Sequence, residues 1–228
     1  MYKIKKINNK DVYYSDILKA EHFFTTRDLP VRENFDLICE YLNISSKDLI
    51  RPNQVHSCNI EVVKSDKYEY LECDSLILNI KNKAIYLNFA DCTPVILYDE
   101  KTNIGAVAHA GWRGTAASIA PKTVLKMQEL FGVNPKDVAA LIGPCISFEC
   151  FETSDEAINE LSKSIKNKDG LFRGNYADLK GINKRQLEEI GVEKIDICPF
   201  CTVKDNDKFF SYRKEDKTPK RHSALLKL

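Results

Sequence analysis

The stretch that most constrains this chain runs from Pro94 to His109, "PVILYDEKTNIGAVAH". It holds two apolar runs, each too short for a typical helix, joined by the polar turn "DEKTN". That is the pattern of an antiparallel hairpin. Residue numbers across such a pair sum to a constant, so the turn sets Cys92 opposite His109 or one step out. Cross-strand partners hold their Cβ atoms roughly 4.5–5.5 Å apart. A thiol and an imidazole therefore point off one sheet face at the strand ends.

Two chemistries fit that pair. Cys92 and His109 can act as nucleophile and base, or they can supply two ligands of a zinc ion that needs a third. The chain has four histidines, at 22, 56, 109 and 222. His56, in "NQVHSC" at the end of an expected strand, is the natural third donor. One cysteine and two histidines leave a fourth position open, the arrangement of a catalytic zinc rather than a structural one. A lone histidine or cysteine is more often a packed core residue. The polar flanks, Asp91 beside Cys92 and Arg113 beyond His109, argue for chemistry.

After His109 comes "AGWRGT". Gly114 and its neighbouring glycine allow close backbone approach, Arg113 offers a guanidinium, and a helix start offers N–H groups to an anion. The plainer reading is a glycine-rich strand–helix turn with a solvated arginine. Trp112 offers a face for a base to stack on, or a core anchor.

Composition narrows the function classes. The 228 residues, 43% hydrophobic, suffice for a substantial core, and one domain over residues 1–228 is the simplest account. A net charge of +1 gives no broad positive field for nucleic acid. No stretch approaches the ~20 apolar residues of a membrane helix, and the opening "MYKIKKINNKDVYY" carries no export signal. The eight cysteines are scattered, which suits reduced thiols in the cytoplasm. "CPFC" (198–201) precedes a polar turn expected to enter a strand, and reads as structural thiols rather than a redox centre. A monomer is expected.

Along the chain, a strand pair turns at Asn8-Asn9-Lys10, and "HFFTTRDL" reads as another strand. Phe35 to Leu42 has the spacing of a short amphipathic helix. Strands are expected in "NQVHSCNIEVV", "DSLILNI", "AIYLNFA", "AALIG" and "KIDIC". Helices are expected over Thr115 to Leu130, Asp155 to Ile165 and Asn183 to Ile190. Gly132 stops the first of these, and Pro121 kinks it or marks its effective start. Strands and helices mix, which implies α+β or α/β sandwich layers.

Six segments, taken in order, carry a resemblance: "NQVHS" (53–57), "DSLILN" (74–79), "ADCTPVIL" (90–97), "HAGWRGT" (109–115), "IGPCIS" (142–147) and "FFSYRKED" (209–216). Together they are similar to the laccase-domain family, whose members are described as polyphenol oxidases and also as purine nucleoside phosphorylases. The resemblance implies that His56, Cys92 and His109 bind one zinc. It implies an α/β–β–α sandwich, mixed sheets with flanking helices, similar to the Cys–His deamidases. The implied activity is phosphorolysis of adenosine, inosine, guanosine and S-methyl-5′-thioadenosine, with adenosine deamination alongside. Zinc is the implied cofactor, copper an adventitious one in vitro, and phosphate the co-substrate. Gln54, Arg51, Asp74, Arg113, Gly114, Tyr212 and Arg213 are the substrate-binding candidates. Two segments depart from the family pattern: the shortened "HFFTTRDLPVRENFD", and "TPKR" (218–221), where Thr218 and Arg221 stand at altered spacing.

Zinc at this trio would orient the purine, or would lower the pKa of water to ~7 and so supply a nucleophile for C6 of adenine. Asp91 is the nearest candidate to handle the proton and Asp74 the second. For Asp91, a turn carboxylate accepting backbone N–H bonds is an equal alternative. A multicopper oxidase needs roughly ten histidines, largely in His-x-His pairs, which this chain does not have. The rival enzyme is a metal-free Cys–His hydrolase or deamidase using Cys92 and His109.

Overall fold

The structure, a computed structural model, describes residues 2–67 and 69–228. It opens with β1 (Tyr2–Ile7) and β2 (Lys10–Ser15), turning through Asn8 and Asn9, which both take positive φ. Next come β3 (Glu21–Thr25), α1 (Phe35–Leu42), β4 (Leu49–Ile50), β5 (Ile60–Val62), β6 (Ser75–Leu78), β7 (Ala84–Phe89), β8 (Thr93–Asp99) and β9 (Ile104–Ala110). After them follow α2 (Trp112–Ala116), α3 (Ile119–Phe131), β10 (Val138–Ile142) and α4 (Asp155–Lys163). A small pair, β11 (Phe172–Arg173) and β12 (Tyr176–Ala177), leads to α5 (Leu179–Glu189), β13 (Lys194–Ile197) and β14 (His222–Lys227).

Two six-stranded mixed sheets result, in the orders β1-β2-β3-β14-β7-β4 and β13-β10-β8-β9-β6-β5. Side chains alternate across each strand, so every sheet has two faces to bury. In β6, Leu76 and Leu78 face the other sheet, meeting Phe24, Leu87 and Leu226, while Ile77 faces outward. On that outer face Ile77, Val95 and Ala108 pack under Ile119, Val124 and Met127 of α3 and Leu187 of α5. On the far side of the first sheet, Phe23, Tyr86 and Leu225 pack under Ile38 and Leu42 of α1. The layers run helix, sheet, sheet, helix: the expected α+β sandwich. Among the described residues no helix is long and apolar enough to cross a membrane.

Several local expectations need correction. "NQVHSC" is not strand; only Ile60–Val62 of that segment pairs. The helix expected over Thr115 to Leu130 is two helices, because Ser118 takes a left-handed φ of 57° and breaks the backbone between them. Pro121 then falls in the first turn of α3, where its missing N–H costs no hydrogen bond. No strand follows "CPFC": residues 202–208 are turns, and the chain reaches its next strand only at β14. The hairpin itself forms, but Asp99 pairs with Ile104 and the register shifts, so His109 faces Pro94. Cys92 lies two residues before Pro94, just outside β8. A shift of two keeps a side chain on the same sheet face, so Cys92 still meets His109.

Candidate metal centre

His109, Cys92 and His56 arrive from three different places. His109 is the penultimate residue of β9, Cys92 ends the tight β7–β8 connection, and His56 stands in an irregular loop with φ 61°. Their ligand atoms all lie within 4.8 Å of one another. The two imidazoles meet edge to face, centroids 4.7 Å apart, and Phe89 packs against the back of His109 at 5.4 Å.

Asp74 organises this meeting. It is fully buried, and its Oδ1 accepts from His109 Nδ1 at 2.7 Å and from the His56 N–H at 3.1 Å. Its Oδ2 accepts the Ser57 N–H at 2.7 Å, the Ser57 hydroxyl at 2.8 Å and the Val55 N–H at 3.2 Å. One carboxylate thus ties the loop bearing His56 to the strand bearing His109. It also fixes the His109 tautomer, leaving Nε2 to face Cys92. Burial pushes the Asp74 carboxyl up, but the bonds from His109 and Ser57 outweigh it and leave it at about 2. The Cys92 thiol is likewise raised by burial and then pulled below its ordinary range by His109 and His56. It is poised as thiolate, the form that binds metal. A sulfur and two imidazoles, one backed by a carboxylate, fit a single zinc ion.

Gly111, between β9 and α2, lies against the sulfur. A Cβ there would stand 2.8 Å from Cys92 Sγ.

The trio opens into a cavity of about 700 Å³. Asp91, Gln54, Arg51, Tyr212 and Arg213 line it, as do Trp112 and Arg221. Three expected substrate residues do not. Asp74 lies behind His109, out of reach of a ligand in the cavity. Arg113 is exposed and stacks on Trp112 at 4.2 Å. Gly114 is buried, where a Cβ would stand 2.8 Å from the His109 carbonyl oxygen. The glycine lets α2 close onto β9, which answers for its presence. Of "GWRGT", Trp112 alone is on the cavity wall, and α2 is a helix of five residues only.

Two lining residues serve their neighbours. Gln54 donates to the Asn88 carbonyl at 2.9 Å and accepts the Asn88 N–H at 2.8 Å, pinning the His56 loop to β7. Asp91 has a φ of 79°; its Oδ1 accepts the Thr202 hydroxyl at 2.5 Å and its Oδ2 the Arg213 N–H at 2.7 Å. It fastens two late loops over the centre, closer to the turn-carboxylate alternative than to a free proton carrier. Sequence reasoning missed Arg32, Asn53, Asn88, Ile146, Phe151 and Pro219 on the cavity wall. Arg32 comes from the shortened "RDLPVRE" segment, which offered no motif to find it by. With Arg51, Arg213 and Arg221 it makes four arginines against one lining carboxylate, Asp91.

Known proteins share this arrangement of sequence and fold. A purine nucleoside phosphorylase of Clostridium acetobutylicum is 34% identical over 196 residues, covering 85% of this chain and 82% of its own length. An adenosine deaminase, RL5, from an unknown prokaryotic organism is 31% identical over 191 residues, covering 76% and 72%. The crystal structure of YlmD from Geobacillus stearothermophilus superposes with a TM-score of 0.86 at 27% identity, covering 91% of each chain. Four histidines do not supply several coppers, whereas His56, Cys92 and His109 suit one ion. The family described as multi-copper polyphenol oxidoreductase laccase matches residues 22–228, and the chain belongs to it.

Proposed function

We propose that this chain is a zinc-dependent purine nucleoside phosphorylase acting on adenosine, inosine, guanosine and S-methyl-5′-thioadenosine, with adenosine deamination as a side activity. One observation carries the reading: a sulfur-and-two-imidazole set opens into a cavity walled by four arginines and by Trp112, Phe151 and Tyr212. Relatives named purine nucleoside phosphorylase and adenosine deaminase support it. His56, Cys92 and His109 hold the zinc, which when bound supplies Lewis acidity strong enough to make water a nucleophile at neutral pH.

The chain's own residues do the rest. Arg32, Arg51, Arg213 and Arg221 hold phosphate, the co-substrate, by charge-assisted hydrogen bonds. Arg213 is already oriented, since its guanidinium donates to the Glu152 carbonyl at 2.8 Å. Phosphate oxygen attacks C1′ of the ribose as the bond to the purine nitrogen breaks. The aromatic walls stack the base and keep it aligned with the anion. In this reading the enzyme is a single cytoplasmic domain, works as a monomer, and takes small molecules rather than nucleic acid.

Incubation of purified protein with adenosine, with and without phosphate, tests the proposal by product chromatography. Adenine and ribose 1-phosphate should form only with phosphate, and inosine should mark deamination. If neither product appears, the proposal fails. A second reading, a metal-free Cys–His hydrolase, is favoured by the sequence of contacts from Asp74 through His109 to Cys92, which is that of an activated cysteine. Zinc content per chain decides between them: activity that survives complete metal removal belongs to the hydrolase.

A further inference from the structure

Away from the metal centre, four cysteines gather where β10 and β13 end. Cys145 follows β10, Cys198 follows β13, and Cys201 pairs with Cys145 as an isolated parallel bridge. Burial pushes the Cys198 thiol up to about 12 and the Cys145 thiol to about 11, so both are inert. The other two differ. The turn from Ser147 to Cys150 wraps around Cys201: the Ser147 N–H donates to Cys201 Sγ at 3.3 Å. The Ser147 carbonyl accepts the N–H groups of Cys150 and Phe151 at 3.0 and 2.9 Å. This brings Cys150 beside Cys201, where burial and the neighbouring Cys201 raise the Cys150 thiol. Burial raises the Cys201 thiol, but the N–H groups around it, that of Ser147 among them, outweigh it and pull it below its ordinary range. Cys150, half-buried, opens the pair to solvent.

We propose that Cys150 and Cys201 are an oxidation-sensitive dithiol that closes to a disulfide when a peroxide reaches it. The Cys201 sulfur attacks one peroxide oxygen, the O–O bond breaks, and the departing oxygen leaves as water with the thiol proton. The sulfur of Cys150 then attacks the sulfenic sulfur of Cys201. The S–S bond forms, the S–O bond breaks, and hydroxide leaves as water with the Cys150 proton. In sum, two thiols lose two electrons and one peroxide becomes two waters.

The link would tie together loops that already shape the cavity. The Cys150 carbonyl accepts from Arg213 Nη1 at 3.4 Å, Phe151 lines the cavity, and Thr202 donates to Asp91. The pair is not the "CPFC" pair: Cys201 is joined to a cysteine on another loop, and Cys198 takes no part.

The test is a disulfide map. Zinc-loaded protein is treated with hydrogen peroxide, its remaining thiols are alkylated, and it is digested without reduction. Cleavage after Glu149 separates Cys145 from Cys150, and cleavage after Phe200 separates Cys198 from Cys201. The expected result is a Cys150–Cys201 link that dithiothreitol removes. Cys150→Ser, at a half-exposed position, should abolish the link, whereas Cys198→Ser should keep it. A link through Cys145 or Cys198 instead, oxidation confined to the exposed Cys58, or no link at all would overturn the proposal.

Discussion

At His109 a buried carboxylate decides which ring nitrogen faces the ligand set. Asp74 accepts from Nδ1 and also holds the loop that delivers His56. Asp74→Asn keeps the shape but removes the charge that fixes the tautomer. We expect metal affinity to fall by about 10- to 100-fold, as measured by competition with a chromogenic chelator. An unchanged affinity would mean that Asp74 only braces the loop. The sequence made the cysteine and both histidines legible, because hairpin arithmetic and histidine scarcity leave few alternatives. It left the work of Asp74 hidden. A carboxylate that binds a ligand from behind has no local pattern, and here it is read only when loop and strand meet.

The elements around the centre show the same division between local and distant information. Phe35–Leu42 forms the helix its spacing announces, with Ile38 and Leu42 on the buried face. The break at Ser118 is announced by Pro121, which stands in the first turn of α3, although no glycine marks the left-handed backbone of Ser118 itself. β14 was missed because "HSALLK" is brief and follows a polar, proline-bearing stretch. The junction of β9 and α2 offers a test at this scale. Gly111→Ala adds one methyl against Cys92 Sγ without replacing a ligand. Activity should drop by about 10- to 100-fold, since small misplacements at a reacting centre carry that cost. The circular dichroism spectrum should be unchanged. Full activity in the alanine variant would show that the sulfur has room to move.

Across the whole molecule, stability should depend on pH through histidines outside the ligand set. His222 is fully buried between Phe89 and Phe209, and burial pushes its imidazole down to about 3 against the pull of the Pro144 carbonyl. Burial lowers His22 as well. Below pH ~6.5 the unfolded chain binds protons at these rings and the native state does not, so stability falls with pH. The loss from His222 levels off only near pH 3. Each neutral ring contributes up to about 1.4 kcal/mol per pH unit in that window. His222→Gln should flatten the slope by about that amount between pH 6 and 4, as read from urea unfolding. An identical slope in wild type and variant would assign acid sensitivity elsewhere.

The position of β14 has its own consequence for biosynthesis. This strand lies between β3 and β7, in the interior of its sheet, yet it is synthesised long after both of them. Until His222–Lys227 has been made, therefore, β3 and β7 wait with open edges and their sheet stays unfinished. A nascent chain that has passed β7 but not yet β14 calls for chaperone cover, and a ribosome stalled in that interval leaves a sticky, unsealed intermediate.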